Sequence, residues 1–352
     1  MVSGGGSVTL WKKIIDPRHV FIIAEAGVNH NGDIHRAKHL IDVAREAGCD
    51  AVKFQTFKAE KLVTPHAPKA SYQLKTTSAA ESHFEMLRCL ELSFEHHKKL
   101  YDYCLKKGIL FMSTPFDEDS ADFLDTLGVP VFKIPSGELT NSLFLAHIAR
   151  KGKPLILSTG MSHLQEVQDA VEIFKKTKNK NFALLHCVSQ YPTDPQDVNL
   201  KAMDTLAHIF HVPVGFSDHT LGIEISLAAV ARGAQIIEKH FTLDRNLKGP
   251  DHKASLEPLE LKALVRGIRN IEVALGHGRK EPASGENEVA KVSRKSLVAA
   301  QDIPMGTSLS EEHLAAKRPG TGLSPAMKPY VLGKKVKVFI RRNQLIHLDM
   351  LA

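Results

Sequence analysis

The chain has 352 residues, 43% of them hydrophobic, with a formal net charge of +7 and four cysteines. This composition buries a large core and excludes a disordered chain. No apolar stretch approaches the ~20 residues that span a bilayer, and the irregular cysteine spacing excludes a disulfide framework. The basic residues spread along helices apart from KKTKNK at 175–180. With no nucleic-acid-binding motif present, a small anionic ligand accounts for the positive balance better than a nucleic acid.

The opening MVSGGGSVTLWKK lacks a charged segment followed by an apolar core, so a cytoplasmic protein with reduced thiols and no signal peptide is expected. From about residue 20, eight short apolar runs follow, separated by helical stretches: FIIAEAG, AVKFQTF, ILFMSTPF, VFKIPSGE, PLILSTG, FALLHCVS, PVGFSDH and IIEKHFT. Each ends in residues able to do polar chemistry. Parallel strands closed into a barrel gather their C-terminal ends on one face, so residues from 25 to 240 would share a pocket. Between the runs, Ala37, Leu40, Ile41, Ala44 and Ala47 recur at helical spacing before Gly48. Ser162 and Gln165 suggest a capping box ahead of Val167, Ala170, Val171 and Phe174. The last helix carries Leu261, Leu264, Val265, Ile268 and Leu275. The longest connection, 58–108, begins as a polar loop suited to a lid or specificity loop over the pocket, or to a surface insertion. Residues 277–292 read as a linker, and 293–352 as a small β-rich domain with strands in SLVAAQDI and KKVKVFI. The domains are thus 1–276, a linker, and 293–352.

His219 and His240 end the last two runs. Strand neighbours lie ~5 Å apart, so two imidazoles there suit one divalent metal with open positions, or else two hydrogen-bonding histidines in a pocket. Asp218 and Glu238 are candidate partners for them. Lys53 and Lys133 would bring cations to the pocket, with Thr114, Ser136 and Ser158 completing a phosphate cradle. Salt bridges, or a Schiff-base lysine (Lys133 or Lys239), are the alternatives. Glu25 and Glu138 could orient water or move a proton, or pair with lysines. Asp251 suits a polyol contact or a turn. The Gly- and Asn-rich GVNHNGD allows close backbone approach to a ligand.

The strings AEAGVNHNGD, VKFQ, STPFD, FKIPSGE, LSTGM, LLHCVSQYPT, GFSDHT, EKHFT, GPDHKAS and KRPG closely resemble bacterial sialic acid synthases over nearly the whole chain. The resemblance implies a TIM (β/α)8 barrel joined to an antifreeze-like SAF domain. It implies that the enol carbon of phosphoenolpyruvate attacks the open-chain aldehyde of an N-acetylmannosamine-type sugar, that water adds, and that phosphate leaves with C–O cleavage. It also implies a divalent metal on His219 and His240, usually manganese, with magnesium or cobalt as alternatives. Phosphoenolpyruvate would be surrounded by Lys53, Gln55, Thr114, Lys133, Ser136, Ser158, His186, Ser189 and Tyr191. Glu25 would act on water, and Glu138 and Asp251 would contact the sugar. Arg318 would reach the sugar from the partner subunit of a domain-swapped homodimer. SYQLKTTSAAES, FKIPSGELTN and GPDHKASLEP look more like N,N'-diacetyllegionaminate synthases than N-acetylneuraminate synthases. A metal-independent Schiff-base aldolase and a non-catalytic sugar- or ice-binding protein are the rival readings.

Overall fold

The computed structural model describes residues 5–78 and 80–352, with burial and side chains from Leu10 onward. Eight strands form one parallel sheet: β1 Phe21–Gly27, β2 Ala51–Thr56, β3 Leu110–Pro115, β4 Phe132–Ile134, β5 Leu155–Ser158, β6 Phe182–Cys187, β7 Val214–Asp218 and β8 Ile236–His240. β1 pairs with both β2 and β8, and β3 lies beside β4, so the sheet curls into a near-closed barrel ringed by helices.

The two-residue strand period divides each run between two cores. Phe21, Ile23, Ala51, Met112, Ile156, Ala183, Leu185 and Ile236 fill the barrel interior. Their neighbours Ile22, Val52, Phe111, Phe132, Leu184, Phe216 and Ile237 pack outward against helix residues such as Leu40, Ile41 and Leu100. Each such fully buried side chain stabilises the fold by roughly 1.5–3 kcal/mol. The sequence reading starts the barrel near 20 and has no helix before it. A helix, Gly5–Ile14, nevertheless precedes β1, and its Trp11 and Ile14 join the interior cluster.

Ala37, Leu40, Ile41, Ala44 and Ala47 are all buried, and Gly48 ends that helix in a left-handed conformation. The expected Ser162 capping box is displaced by one residue. Helix Leu164–Lys176 begins after His163, whose backbone N–H donates to Glu166 Oε2 at 2.6 Å, while Ser162 turns back to the Gly160 carbonyl. Leu275 is 57% exposed at the fraying end of its helix, so it lies off the buried face. The connection after β2 is not a plain loop. It holds short helices Ala59–Leu62, Ser71–Thr76 and His83–Leu90 before the long Phe94–Lys107.

The chain divides into compact units at Gly276/His277. The 277–292 stretch, expected as a linker, contains helix Glu286–Ser293. In the second unit β9 Ser296–Ala299 runs antiparallel to β10 Leu314–Lys317 around Leu297, Leu309, Leu314, Val336, Ile340 and Ile346. KKVKVFI is not a continuous strand. Ile340 pairs with Ile303 and Val336 with Thr307 and Gly306, while Lys337 bonds Met350. The segment changes partner too often for a ladder to extend. Among the described residues no helix is long and apolar enough to cross a membrane.

Candidate active site

The inward-facing positions at the C-terminal strand ends are polar where the layers below are apolar. They open into a cavity of about 380 Å³, within the usual range for small-ligand sites. Glu25, Lys53, Gln55, Thr114, Lys133, Ser136, Ser158, Ser189, Tyr191, His219, His240 and Asp251 all line it. Strand register places Glu25 level with Lys53 on one side and His240 on the other.

Four buried charges dominate the floor. Lys53 Nζ lies 2.7 Å from Glu25 Oε2 and 3.6 Å from Glu238 Oε2, and donates to Thr114 Oγ1 at 2.8 Å. Lys133 Nζ donates to Ser158 Oγ at 2.7 Å and sits 3.5 Å from Glu238 Oε1, which accepts from Ser217 Oγ at 3.1 Å. Burial pushes Glu25 up to about 7, even though Lys53 pulls the other way. Burial likewise pulls the Lys133 ammonium below its ordinary value. For Lys53 and Glu238 the opposite charges outweigh burial, so both stay ionised. With Glu25 titrating near neutrality, the quartet carries between zero and one net positive charge, which favours an anionic ligand.

Gly160 closes one wall. Its N–H donates to Ser136 Oγ at 2.9 Å, and an added Cβ would lie 2.4 Å from Ser189 Oγ and 2.8 Å from Ser136 Oγ. Only glycine lets these hydroxyls converge.

The His219 and His240 rings lie 5.5 Å apart, a span that two imidazoles sharing one ion at roughly 2.1 Å from each nitrogen can bridge. His219 Nδ1–H donates to the Val188 carbonyl at 2.6 Å, which leaves Nε2 as the electron-pair donor. Burial and the surrounding cations hold His240 well below the ordinary imidazole range, so it is neutral. His240 Nδ1 is buried without a hydrogen-bond partner, while Glu25 Oε2 and Glu238 Oε2 face the Lys53 ammonium. Such an orphan costs stability unless a ligand satisfies it. The donor set therefore fits a divalent cation. No cluster of three or more His, Cys, Asp or Glu ligands occurs among the described residues. The Tyr191 ring lies tilted against His219 with centroids 4.1 Å apart, and Tyr72 of the long connection stacks on Tyr191 at 5.0 Å.

Two expected residues lie elsewhere. His186 faces outward: its Nε2 meets the Val198 carbonyl at 2.6 Å and its ring stacks on Phe216, while Cys187 takes the inward position. Glu138 does not line the cavity and accepts from Asn141 Nδ2 at 2.8 Å. Arg318 belongs to the second unit and is exposed. Asp218 also faces the helices, paired with Lys239 at 2.8 Å and with Ser226, and both members of that ion pair are fully buried. Lys239 thus has no route to imine chemistry in the cavity. Sequence reasoning missed Cys187, Tyr72 and Gln73 as cavity residues and Glu238 as the carboxylate between the two lysines. With Ala183 and Leu185 in the interior layer, strand alternation puts Cys187 inward as well.

A profile described as the NeuB family matches residues 40–280, and one described as the SAF domain matches 294–352. The chain belongs to the NeuB family. This NeuB-family chain is 50% identical over 331 residues to the N,N'-diacetyllegionaminic acid synthase of Campylobacter jejuni, which covers 94% of this chain and 99% of that protein. It is also 50% identical over 322 residues to the synthase of the same name from Legionella pneumophila, covering 90% of each. Among solved structures it resembles the N-acetylneuraminic acid (sialic acid) synthetase of Leptospira borgpetersenii in complex with citrate. That likeness has a TM-score of 0.69 and 41% identity, over 78% of this chain and 90% of that one.

Proposed function

We propose that this enzyme condenses phosphoenolpyruvate with an N-acetylmannosamine-type sugar to give a nonulosonic acid of the N,N'-diacetyllegionaminate or N-acetylneuraminate kind, releasing phosphate. One observation carries the proposal. Two buried lysines, a carboxyl titrating near neutrality and two adjacent imidazoles share one cavity.

Lys53 and Lys133, with the hydroxyls of Thr114, Ser136 and Ser158 and the Gly160 wall, hold the phosphate and carboxylate of phosphoenolpyruvate. This fixes its C3 against the sugar's aldehyde carbon. The C2=C3 electron pair forms the new C–C bond, and the aldehyde oxygen takes up a proton as it becomes a hydroxyl. Water then adds to C2. Glu25, ionised, accepts the water proton. The tetrahedral centre collapses to a ketone as its C–O bond to phosphate breaks, and its hydroxyl proton leaves with the phosphate. A divalent ion on His219 and His240, with manganese the leading choice over magnesium or cobalt, supplies Lewis-acid polarisation of the aldehyde oxygen. Asp251, pushed up to about 6 by burial, meets a sugar hydroxyl. Arg318 reaches the sugar in a homodimer whose C-terminal units are exchanged, so Arg318→Ala raises the sugar's KM far more than that of phosphoenolpyruvate.

The test is phosphate release from phosphoenolpyruvate in the presence of an N-acetylated mannose derivative, followed with product mass. Release that requires the sugar and stops with EDTA supports the reading. No release with any such sugar rejects it.

A further inference from the structure

Asp218 and Lys239 form an ion pair at 2.8 Å whose side chains are wholly buried, and neither lines the cavity. Desolvating two charges offsets much of their attraction, and apolar residues of similar volume often serve a core as well. Fold stability alone therefore gives little reason for the pair. Its place in the chain gives another. Asp218 directly precedes His219, and Lys239 directly precedes His240. Successive side chains of a strand point to opposite faces, so the pair stands behind the two imidazoles, on the helix side of the sheet.

The matched register of β7 and β8 stops at this level, with Asp218 opposite Lys239 as its last pair. One residue further on, the strands take different neighbours. The His219 carbonyl accepts from the Thr193 N–H and the His240 carbonyl from the Leu256 N–H, each at 2.9 Å. The ion pair thus adds a side-chain link between the strands where their register ends. It also holds the residue after His219. Lys239 Nζ donates to the Thr220 carbonyl at 2.6 Å, and Asp218 Oδ1 accepts from the Thr220 N–H at 2.8 Å and from its hydroxyl at 2.7 Å. Asp218 Oδ2 accepts from Ser226 Oγ at 2.6 Å, which ties the pair to helix Glu224–Ala231. Both carboxylate oxygens are satisfied, as a rigid buried network requires. None of these bonds goes to an imidazole, so any effect on the histidines passes through the backbone.

We propose that Asp218 and Lys239 are positioning residues that set the spacing of His219 and His240, and with it the affinity for a divalent cation. The inference rests on the metal reading given above and adds the pair that aligns its two ligands. Residues on both sides of His219 are tied to Lys239, so the 5.5 Å between the ring centres is fixed from behind the sheet. Without the pair, the ends of β7 and β8 lose that link, and the ion itself must order the two rings. That ordering is subtracted from its affinity. Lys53 and Lys133 stand on β2 and β4, outside this link, so phosphoenolpyruvate binding does not depend on it.

The test uses the double variant Asp218→Asn with Lys239→Met, which removes both charges and the link between strands but keeps the volume and an oxygen for Thr220. Manganese binding is read without turnover, from the paramagnetic resonance signal of the free ion. Phosphoenolpyruvate binding to the metal-free protein is read by calorimetry. The manganese dissociation constant should rise about 10- to 100-fold, as when the supports of metal ligands are lost. That of phosphoenolpyruvate should stay within about twofold, and the melting temperature within about 4 °C of the parent's. A manganese affinity unchanged within about twofold would overturn the inference. So would a fall in both affinities together with a lower melting temperature, which would make the pair part of the general scaffold. If the double variant does not fold, Ser226→Ala decides, because it removes one hydrogen bond to the Asp218 carboxylate and leaves both charges in place. It should weaken manganese about threefold or more with phosphoenolpyruvate binding unchanged, and an unchanged manganese affinity would overturn the inference. A parent that binds no manganese would reject the metal reading, and this inference with it.

Discussion

Replacing Glu238 by glutamine isolates the charge that holds the two lysines. The carboxylate lies 3.6 Å from Lys53 Nζ and 3.5 Å from Lys133 Nζ, and Ser217 donates to it. Glutamine keeps the shape and an oxygen for Ser217 but not the charge. At an effective dielectric constant of about 20, each attraction is worth about 5 kcal/mol. Releasing a buried carboxylate from its desolvation penalty returns several kcal/mol, so the net loss is about 3–5 kcal/mol, the usual cost of removing one partner of a buried pair. For a unit of this size, that lowers the melting temperature by roughly 10 °C. Thermal unfolding of the metal-free protein at pH 7 measures it. Phosphoenolpyruvate brings its own negative charge to the same ammonium groups, so it should raise the variant's Tm more than the parent's. A variant melting within about 1 °C of the parent, or gaining no more from phosphoenolpyruvate, would refute the claim that Glu238 balances Lys53 and Lys133.

Glu25 is pushed up to about 7 from 4.5, so the folded protein holds a proton that the unfolded chain releases, and stability falls as pH rises through that window. Glu25→Gln should flatten the Tm profile between pH 5 and pH 8, and an unchanged slope would show that Glu25 is not the titrating group. His240→Leu removes a buried nitrogen without a partner, so the metal-free variant should melt at or above the parent while phosphate release falls at least about 100-fold; a large loss of Tm would show that the imidazole is structural. His186→Ala should lower stability by about 1–3 kcal/mol by orphaning the Val198 carbonyl and leave the KM for phosphoenolpyruvate within about twofold. A tenfold rise in KM would place His186 against the ligand.

Much of the barrel was legible because each strand end carries polar groups after an apolar run, and because eight such runs recur with helical spacers. What the sequence withheld was parity. FALLHC is buried on both faces, as parallel strands are, so nothing within the run says whether His186 or Cys187 faces inward. The interior layer at Ala183 and Leu185 decides it. The connection after β2 reads as loop for a related reason. Helix Ser71–Thr76 buries none of its side chains, and neither does Glu286–Ser293, so neither has an apolar stripe to reveal it. The partners of Asp218 and Glu238 were equally hidden. They sit one register step apart on neighbouring strands, Asp218 opposite Lys239 and Ser217 opposite Glu238, yet one serves the helix layer and the other the cavity floor.

A crystal grown with manganese and phosphoenolpyruvate tests the central claim most directly. The account predicts an anomalous peak within bonding distance of both His219 and His240, with the phosphate of phosphoenolpyruvate against Lys53 and Lys133. An ion bound elsewhere, or phosphoenolpyruvate seated beside His186 on the outer side of β6, would contradict it.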